Sequence, residues 1–391
     1  MRLIIQNGSI LTPKDRIGQG TVVVENGRFA DIIPHPADSD LTNGRLLDAT
    51  GLTIVPGFID LQLNGGFAHD FTQNPSTIWA VADRLPQFGV TSFLPTIITS
   101  PLAQAKEAQA VLQAGRPAGT KGARPLGLHL EGPFLNPAKK GAHNPRFLQP
   151  PTLAAVQGWS PENGVRLVTL APELPNGLAL IETLTANGVV VSAGHSAASA
   201  AEGQASIAAG LRYGTHLFNA MVPLHHREPG LIGALLADKR VVVGLIPDGV
   251  HVAPLLLKLI WQLVGNGRLN LVTDSMAAMG HPPGHYQLGD YSVTVDAERA
   301  QLADGTLAGS IITMDEGVRR FIQMTGCSLA EAVETVTAVP AQLLNMAHHK
   351  GHIATGYDAD FVLLTTNQQV AATFVAGEQI YTNPLYQQKL S

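Results

Sequence analysis

Four short apolar runs of this sequence each lead into a residue that can bind a metal ion or move a proton. Glu131 closes Leu-His-Leu-Glu, His195 closes Val-Ser-Ala-Gly-His, His216 lies in Gly-Thr-His-Leu-Phe-Asn-Ala, and Asp274 closes Leu-Val-Thr-Asp. From Glu131 to His195, His195 to His216 and His216 to Asp274 the gaps are 64, 21 and 58 residues. A strand-helix unit of a (β/α)8 barrel takes roughly 30 residues of a domain of about 250. The gaps therefore read as two units, one short unit and two units. The strands skipped by that count are present at 165–173 and 241–249. Side chains at the carboxyl ends of barrel strands converge on one mouth. There, Glu131, His195 and His216 supply three ligands and leave a divalent ion an open position for water. Asp274 is a further carboxylate, able to take a proton from that water and return it to a leaving group. A single histidine is ordinarily a hydrogen-bonded structural residue, and a strand-end aspartate ordinarily caps the next helix. Their joint occurrence in unit register points to metal-assisted hydrolysis.

The elements that must hold these residues emerge from the same pattern. Strands are expected at 54–63, 90–99, 125–131, 165–173, 189–195, 214–220, 241–248 and 269–274. They are near-continuously apolar, as parallel strands covered on both faces are, with helices between them, for example 200–209 and 254–264. The predicted fold class is α/β, a TIM-like (β/α)8 barrel over 54–351. Residues 285–309 interrupt the alternation and read as a β-hairpin insertion near the mouth, placed to act as a lid. Residues 1–53 and 352–391 carry short β-rich runs with turn signals such as Asn26-Gly27, so both termini are expected to build one small β-sandwich domain.

Hydrophobic residues make up 45% and charged residues 14% of the 391, enough apolar material for a large core. A net charge of −5 gives no reason to expect nucleic acid or an anionic membrane as partner, and obliges an anionic substrate to find a local cationic pocket. The lone Cys327 excludes an intrachain disulfide, fits a reducing cytoplasm and reads as filler in a helical stretch. The chain starts without a signal-type apolar run, and no stretch reaches the about 18 apolar residues of a spanning helix. A soluble, cytoplasmic protein is expected.

Seven segments in order, 56–65, 126–136, 140–145, 192–195, 215–221, 227–230 and 248–251, closely resemble the N-acetylglucosamine-6-phosphate deacetylase family of the amidohydrolase superfamily. The resemblance covers nearly the whole chain. It implies removal of acetyl from N-acetyl-D-glucosamine 6-phosphate, in amino-sugar catabolism, with Asp274 as general base and acid. It places His143 on the amide carbonyl and Ala142, Asn219, the Ala220 N–H, Arg227, His251 and Leu307 on the substrate. Arg227 suits a bidentate phosphate contact, though a surface ion pair with Glu228 competes. The resemblance further implies a homodimer in which Arg227 or His251 reaches the neighbouring subunit's phosphate site.

Many superfamily members carry His-x-His at the end of the first strand, where this chain has Gln62-Leu-Asn64. Neutral amides are poor ligands beside imidazoles and carboxylates, so Gln62 and Asn64 read as the remnant of a second metal site. One ion per subunit is expected, zinc first, with iron(II), cobalt or manganese open. No lysine ends the fourth strand to bridge two metals. His129 is expected to support the site from behind, and Gly309-Ser310 to close over the sugar. His69, His225, His226, His281, His285, His348, His349 and His352 read as surface or packing residues. A hydrolase of another N-acylated or cyclic amide stays open. A catalytically silent sugar-phosphate sensor is disfavoured, because it should have lost a ligand or the acid and this chain keeps them all.

Overall fold

In the computed structural model, which describes residues 2–12, 16–34 and 43–390, the apolar runs form eight parallel strands. They are β1 (Phe58–Leu63), β2 (Val90–Ile98), β3 (Leu128–Glu131), β4 (Val165–Leu170), β5 (Val190–Ala193), β6 (Tyr213–Gly214), β7 (Val242–Leu245) and β8 (Leu269–Leu271). Each pairs with the next in chain order. Parallel pairing demands a crossover, supplied by helices such as Gly177–Ala186, Ala200–Ala208 and Pro254–Val264. Local sequence starts two of these: Ser199 and Glu202 form a capping box, and Pro254 opens its helix at the first turn.

The seam between β8 and β1 closes without a full ladder. The Asp274 N–H donates to the Gln62 carbonyl and the Asn64 N–H to the Ser275 carbonyl, each at 2.8 Å. Beneath them the buried Asp60 carboxylate accepts from the Thr273 hydroxyl at 2.6 Å and from the Gln62 N–H at 3.2 Å. Burial pushes Asp60 up to about 7. Side chains fill the barrel: Ile59, Leu61, Leu94, Leu167, Tyr213, Ile246 and Val272 belong to one buried cluster. The Tyr213 phenol crosses to Asn270 Oδ1 at 2.9 Å, and it passes where Gly244 has no Cβ, since one built there would lie 2.3 Å from the phenol oxygen.

Strands from both termini form a separate eight-stranded sheet with its own core, in which Phe361 and Phe374 stack at 4.3 Å. The expected Asn26-Gly27 turn is present, both residues at positive φ. The run 54–63, read as one strand, divides at Gly57. Thr53–Pro56 pairs antiparallel with Phe361–Leu364 in the terminal sheet, and only Phe58–Leu63 enters the barrel. The outer limits expected for the small domain, residues 1 and 391, lie outside the described residues, as do 13–15 and 35–42. The insertion is a three-stranded sheet, Gly284–Leu288, Tyr291–Val295 and Ala300–Gln301, one strand more than the expected hairpin. Cys327 lies in the link before the helix Leu329–Thr335 rather than inside a helix, because Ser328 caps that helix and fixes its start. Among the described residues no helix is long and apolar enough to cross a membrane.

Candidate active site

Glu131 is the last residue of β3, but His195, His216 and Asp274 stand two, two and three residues beyond β5, β6 and β8. All three have positive φ, at 48°, 27° and 48°. Such backbone costs a non-glycine residue about 1–3 kcal/mol and collects at functional sites. The expected strand 214–220 ends at Gly214 for the same reason: His216, Phe218 and Ala220 are left-handed, and a ladder cannot run through them. Beyond β6 the chain makes a series of turns that aim His216 inward and leave Asn219 and Ala220 on the wall.

These residues line one cavity of about 350 Å³. Glu131 Oε1 lies 2.9 Å from His216 Nε2 and 3.2 Å from His195 Nε2, and the two nitrogens are 3.1 Å apart. Donors about 2.0–2.1 Å from one tetrahedral ion stand roughly 3.3 Å from each other, so the triangle fits a single divalent cation, and this is the one such group among the described residues. His195 Nδ1 lies 2.9 Å from the Lys139 carbonyl, which can only accept. The ring proton is thereby fixed on Nδ1, and Nε2 is left with its lone pair for a metal. Burial alone would raise the Glu131 carboxyl, but the His195 and His216 imidazoles against it outweigh burial and hold it well below the usual range. The same contact raises His216 against its burial. Without a cation the cluster favours a proton on an imidazole; a divalent ion takes that role.

Asp274 is 8% exposed and faces this cluster. Asn64 Nδ2 donates to its Oδ1 at 2.8 Å, and the Ser310 N–H donates to its carbonyl at 2.8 Å. Burial, then the nearby Glu131 charge, push Asp274 up to about 6. A base works only when ionised, so activity should hold above this value and fall as pH drops through it. A bound cation lowers the value further. The acid limb of kcat/KM should therefore have its midpoint no higher than about 6, which a pH-rate profile reads directly.

His143 stacks edge-on with His195, ring centroids 4.4 Å apart. The Thr99 N–H donates to its Nδ1 at 3.3 Å, so the proton of the neutral ring sits on Nε2, a ready hydrogen-bond donor. Burial, then His195, press His143 down to about 3, so it stays neutral. Asp248 grips His251, with Nδ1 at 2.6 Å from Oδ2. Ala142, His251 and, from the insertion, Leu307 line the mouth. Asn219 also lines it, but its amide nitrogen turns back to the His216 and Leu217 carbonyls, so donation to a ligand requires its side chain to rotate.

Three expected residues, Gln62, Arg227 and Ser310, do not line this mouth. Gln62 lies behind Glu131 and donates to Oε1 at 3.2 Å. Arg227 is exposed on the loop after β6, its guanidinium against His226 Nε2 at 3.0 Å. The side-chain oxygens of Gln62 and Asn64 are buried without a hydrogen-bond partner. Ser310 is buried behind Asp274, not over the sugar, because its hydroxyl bonds the Thr273 carbonyl; Gly309 alone of that pair lines the cavity. His129 sits inside the barrel between the Thr96 and Thr169 hydroxyls, and burial holds it down at about 4. Sequence reasoning missed Thr99, the Lys139 carbonyl and Asp248 in its pinning role. It also missed Gly141, where φ is +54° and a Cβ would stand 3.2 Å from the His195 ring.

Residues 53–380 match the amidohydrolase family. The N-acetylglucosamine-6-phosphate deacetylase of Danio rerio is 41% identical over 349 residues, 86% of each chain. The crystal structure of N-acetylglucosamine-6-phosphate deacetylase from Pasteurella multocida superposes with a TM-score of 0.91 at 31% identity, covering 98% of this chain and 100% of that one. A variant of the enzyme from Mycobacterium smegmatis, solved in complex with N-acetyl-D-glucosamine-6-phosphate, gives 0.88 at 33% identity, covering 97% and 100%.

Proposed function

The chain belongs to the amidohydrolase family, and from that premise we propose that it hydrolyses N-acetyl-D-glucosamine 6-phosphate to D-glucosamine 6-phosphate and acetate. The observation that carries this reading is the buried Glu131–His195–His216 donor triangle facing Asp274 in one mouth. The relatives at 41% and 31% identity carry that activity in their names, and the M. smegmatis variant was solved with that compound.

A divalent ion held by Glu131, His195 and His216, zinc in our reading, supplies Lewis acidity and can lower the pKa of water from about 15.7 to about 7. The chain's own groups do the rest. Asp274, ionised above about 6, takes the proton of the attacking water on the oxygen that Asn64 does not hold. It then delivers that proton to the amine nitrogen, without which a sugar amide ion would have to leave. His143 donates its Nε2–H to the carbonyl oxygen as negative charge builds there. Gln62 and Asn64 act as neutral donors to Glu131 and Asp274; we read them as the remnant of a second metal position. Ala142 and Leu307 shape the sugar pocket, while His251, Asn219 and the Ala220 N–H receive the phosphate. A soluble, cytoplasmic enzyme is part of this reading, supported by the single buried cysteine. The test is acetate release from N-acetyl-D-glucosamine 6-phosphate by purified protein; no release from the metal-loaded enzyme refutes the assignment.

Arg227 is exposed and does not line its own mouth, and we read it as completing the phosphate site of a second copy in a homodimer. Arg227→Ala should raise KM about 10–100-fold, the effect of losing a charged hydrogen bond. Mixing two impaired variants, Arg227→Ala and Asp274→Asn, should restore activity, since roughly a quarter of the sites in a random C2 mixture regain both residues. Absence of restoration places Arg227 in cis or off the site.

A further inference from the structure

We propose that Lys139 is the cation this chain itself supplies to its substrate's phosphate, and so a determinant of specificity for phosphorylated over unphosphorylated sugars. The inference rests on the function proposed above. Among the described residues Lys139 is the only lysine or arginine lining the mouth. Its ammonium stands 3.4 Å from the Met221 carbonyl, next along the chain from Asn219 and Ala220. That carbonyl is a neutral acceptor, and among the described residues no ion pair involves Lys139, so no carboxylate neutralises its charge.

The backbone gives this side chain a fixed address. Lys139 ends a short 3-10 turn, Pro137–Lys139, capped by the Asn136 side chain. The Asn136 N–H donates to the His195 carbonyl at 3.0 Å, and His195 Nδ1–H returns a bond to the Lys139 carbonyl at 2.9 Å. The Ser196 N–H then donates to the Ala220 carbonyl at 3.1 Å. One loop, the segment around a metal ligand and the expected phosphate loop are thus braided together, with the ammonium on the phosphate side. Charge makes the same argument. The mouth holds Glu131 and Asp274, two carboxylates, so a phosphate dianion entering it needs a fixed cation nearby. Arg227 of the same chain does not line the mouth and lies against His226. The Lys139 carbonyl serves His195 whatever the side chain is, so the two roles separate on substitution.

The experiment uses the metal-loaded enzyme and its Lys139→Met and Lys139→Arg variants. Binding of glucose 6-phosphate and of glucose is titrated calorimetrically, alongside kinetics on N-acetyl-D-glucosamine 6-phosphate. Lys139→Met should weaken glucose 6-phosphate and raise KM by about 10–100-fold, as expected for losing a charged hydrogen bond. It should leave kcat within about threefold and metal content unchanged, and Lys139→Arg should recover part of the loss. Unchanged affinity for glucose 6-phosphate in Lys139→Met overturns the inference. So does a fall in kcat with loss of metal, which would show that the residue acts only through His195. Because binding is read without turnover, failure of the deacetylase assignment, seen as no acetate release by the unaltered enzyme, is a separate result.

Discussion

Asp274→Asn lowers kcat by about 10³–10⁴-fold, at the upper end of what general acid–base catalysis supplies, while KM moves little and the metal stays bound. The substitution keeps the oxygen that accepts the Asn64 amide at 2.8 Å, so the side chain holds its place. It replaces the other oxygen with an N–H2 that can neither accept a proton from water nor give one to the amine. Folding should not suffer. Burial and the Glu131 charge disfavour the ionised form of Asp274, so a neutral isostere removes a repulsion that the native fold carries. The variant is therefore expected to be well folded, fully loaded and nearly inert. Activity within tenfold of the unaltered enzyme would remove Asp274 from the mechanism, and a lowered melting temperature with lost metal would make it a structural residue.

The four residues that define the centre were legible because barrel geometry is periodic. One unit of strand and helix brings the chain back to the same rim, so Glu131, His195, His216 and Asp274 declared themselves by spacing. The groups that fix their chemistry are not periodic. The Lys139 carbonyl that sets the His195 tautomer and the Thr99 N–H that sets the His143 tautomer come from loops. Backbone donors and acceptors of this kind leave no mark in a sequence. The strand ends were overextended at β5, β6 and β8, since the apolar pattern persists through residues whose φ is positive. His195, His216 and Asp274 there are still buried and Phe218 and Ala220 half-buried, and burial is what the pattern reports. Likewise the run 54–63 looked like one strand because both halves are apolar, although Thr53–Pro56 pairs into the terminal sheet, where Ile54 joins that sheet's core, and β1 pairs into the barrel, where Ile59 and Leu61 fill the interior. Arg227 was a reasonable phosphate ligand by residue type, but residue type cannot say in which subunit's mouth a loop residue acts.

Exhaustive chelation should abolish acetate release and also lower the melting temperature, and one cause underlies both effects. Glu131 and Asp274 are buried carboxylates, 3% and 8% exposed, with Asp60 beneath them at 1%. Burial, and to a smaller degree repulsion between carboxylates, raises Asp274 to about 6 and Asp60 to about 7. In the cation-free protein this charge is relieved by protons, on the His216 imidazole or on the raised carboxyls themselves. A divalent ion relieves it better, being held by three donors already 2.9–3.2 Å apart. Linkage converts that binding into stability: at about 1,000 times Kd, an ion that binds only the native state adds about 4 kcal/mol. Glu131→Gln should reproduce both losses, because a neutral amide keeps the shape but removes the negative donor between two imidazoles. Readdition of zinc to the chelated protein should restore turnover and melting temperature together, with one equivalent per chain. Restoration that needs two equivalents would make the Gln62–Asn64 side a working second site. Turnover that survives complete removal of the ion would refute the hydrolytic centre itself.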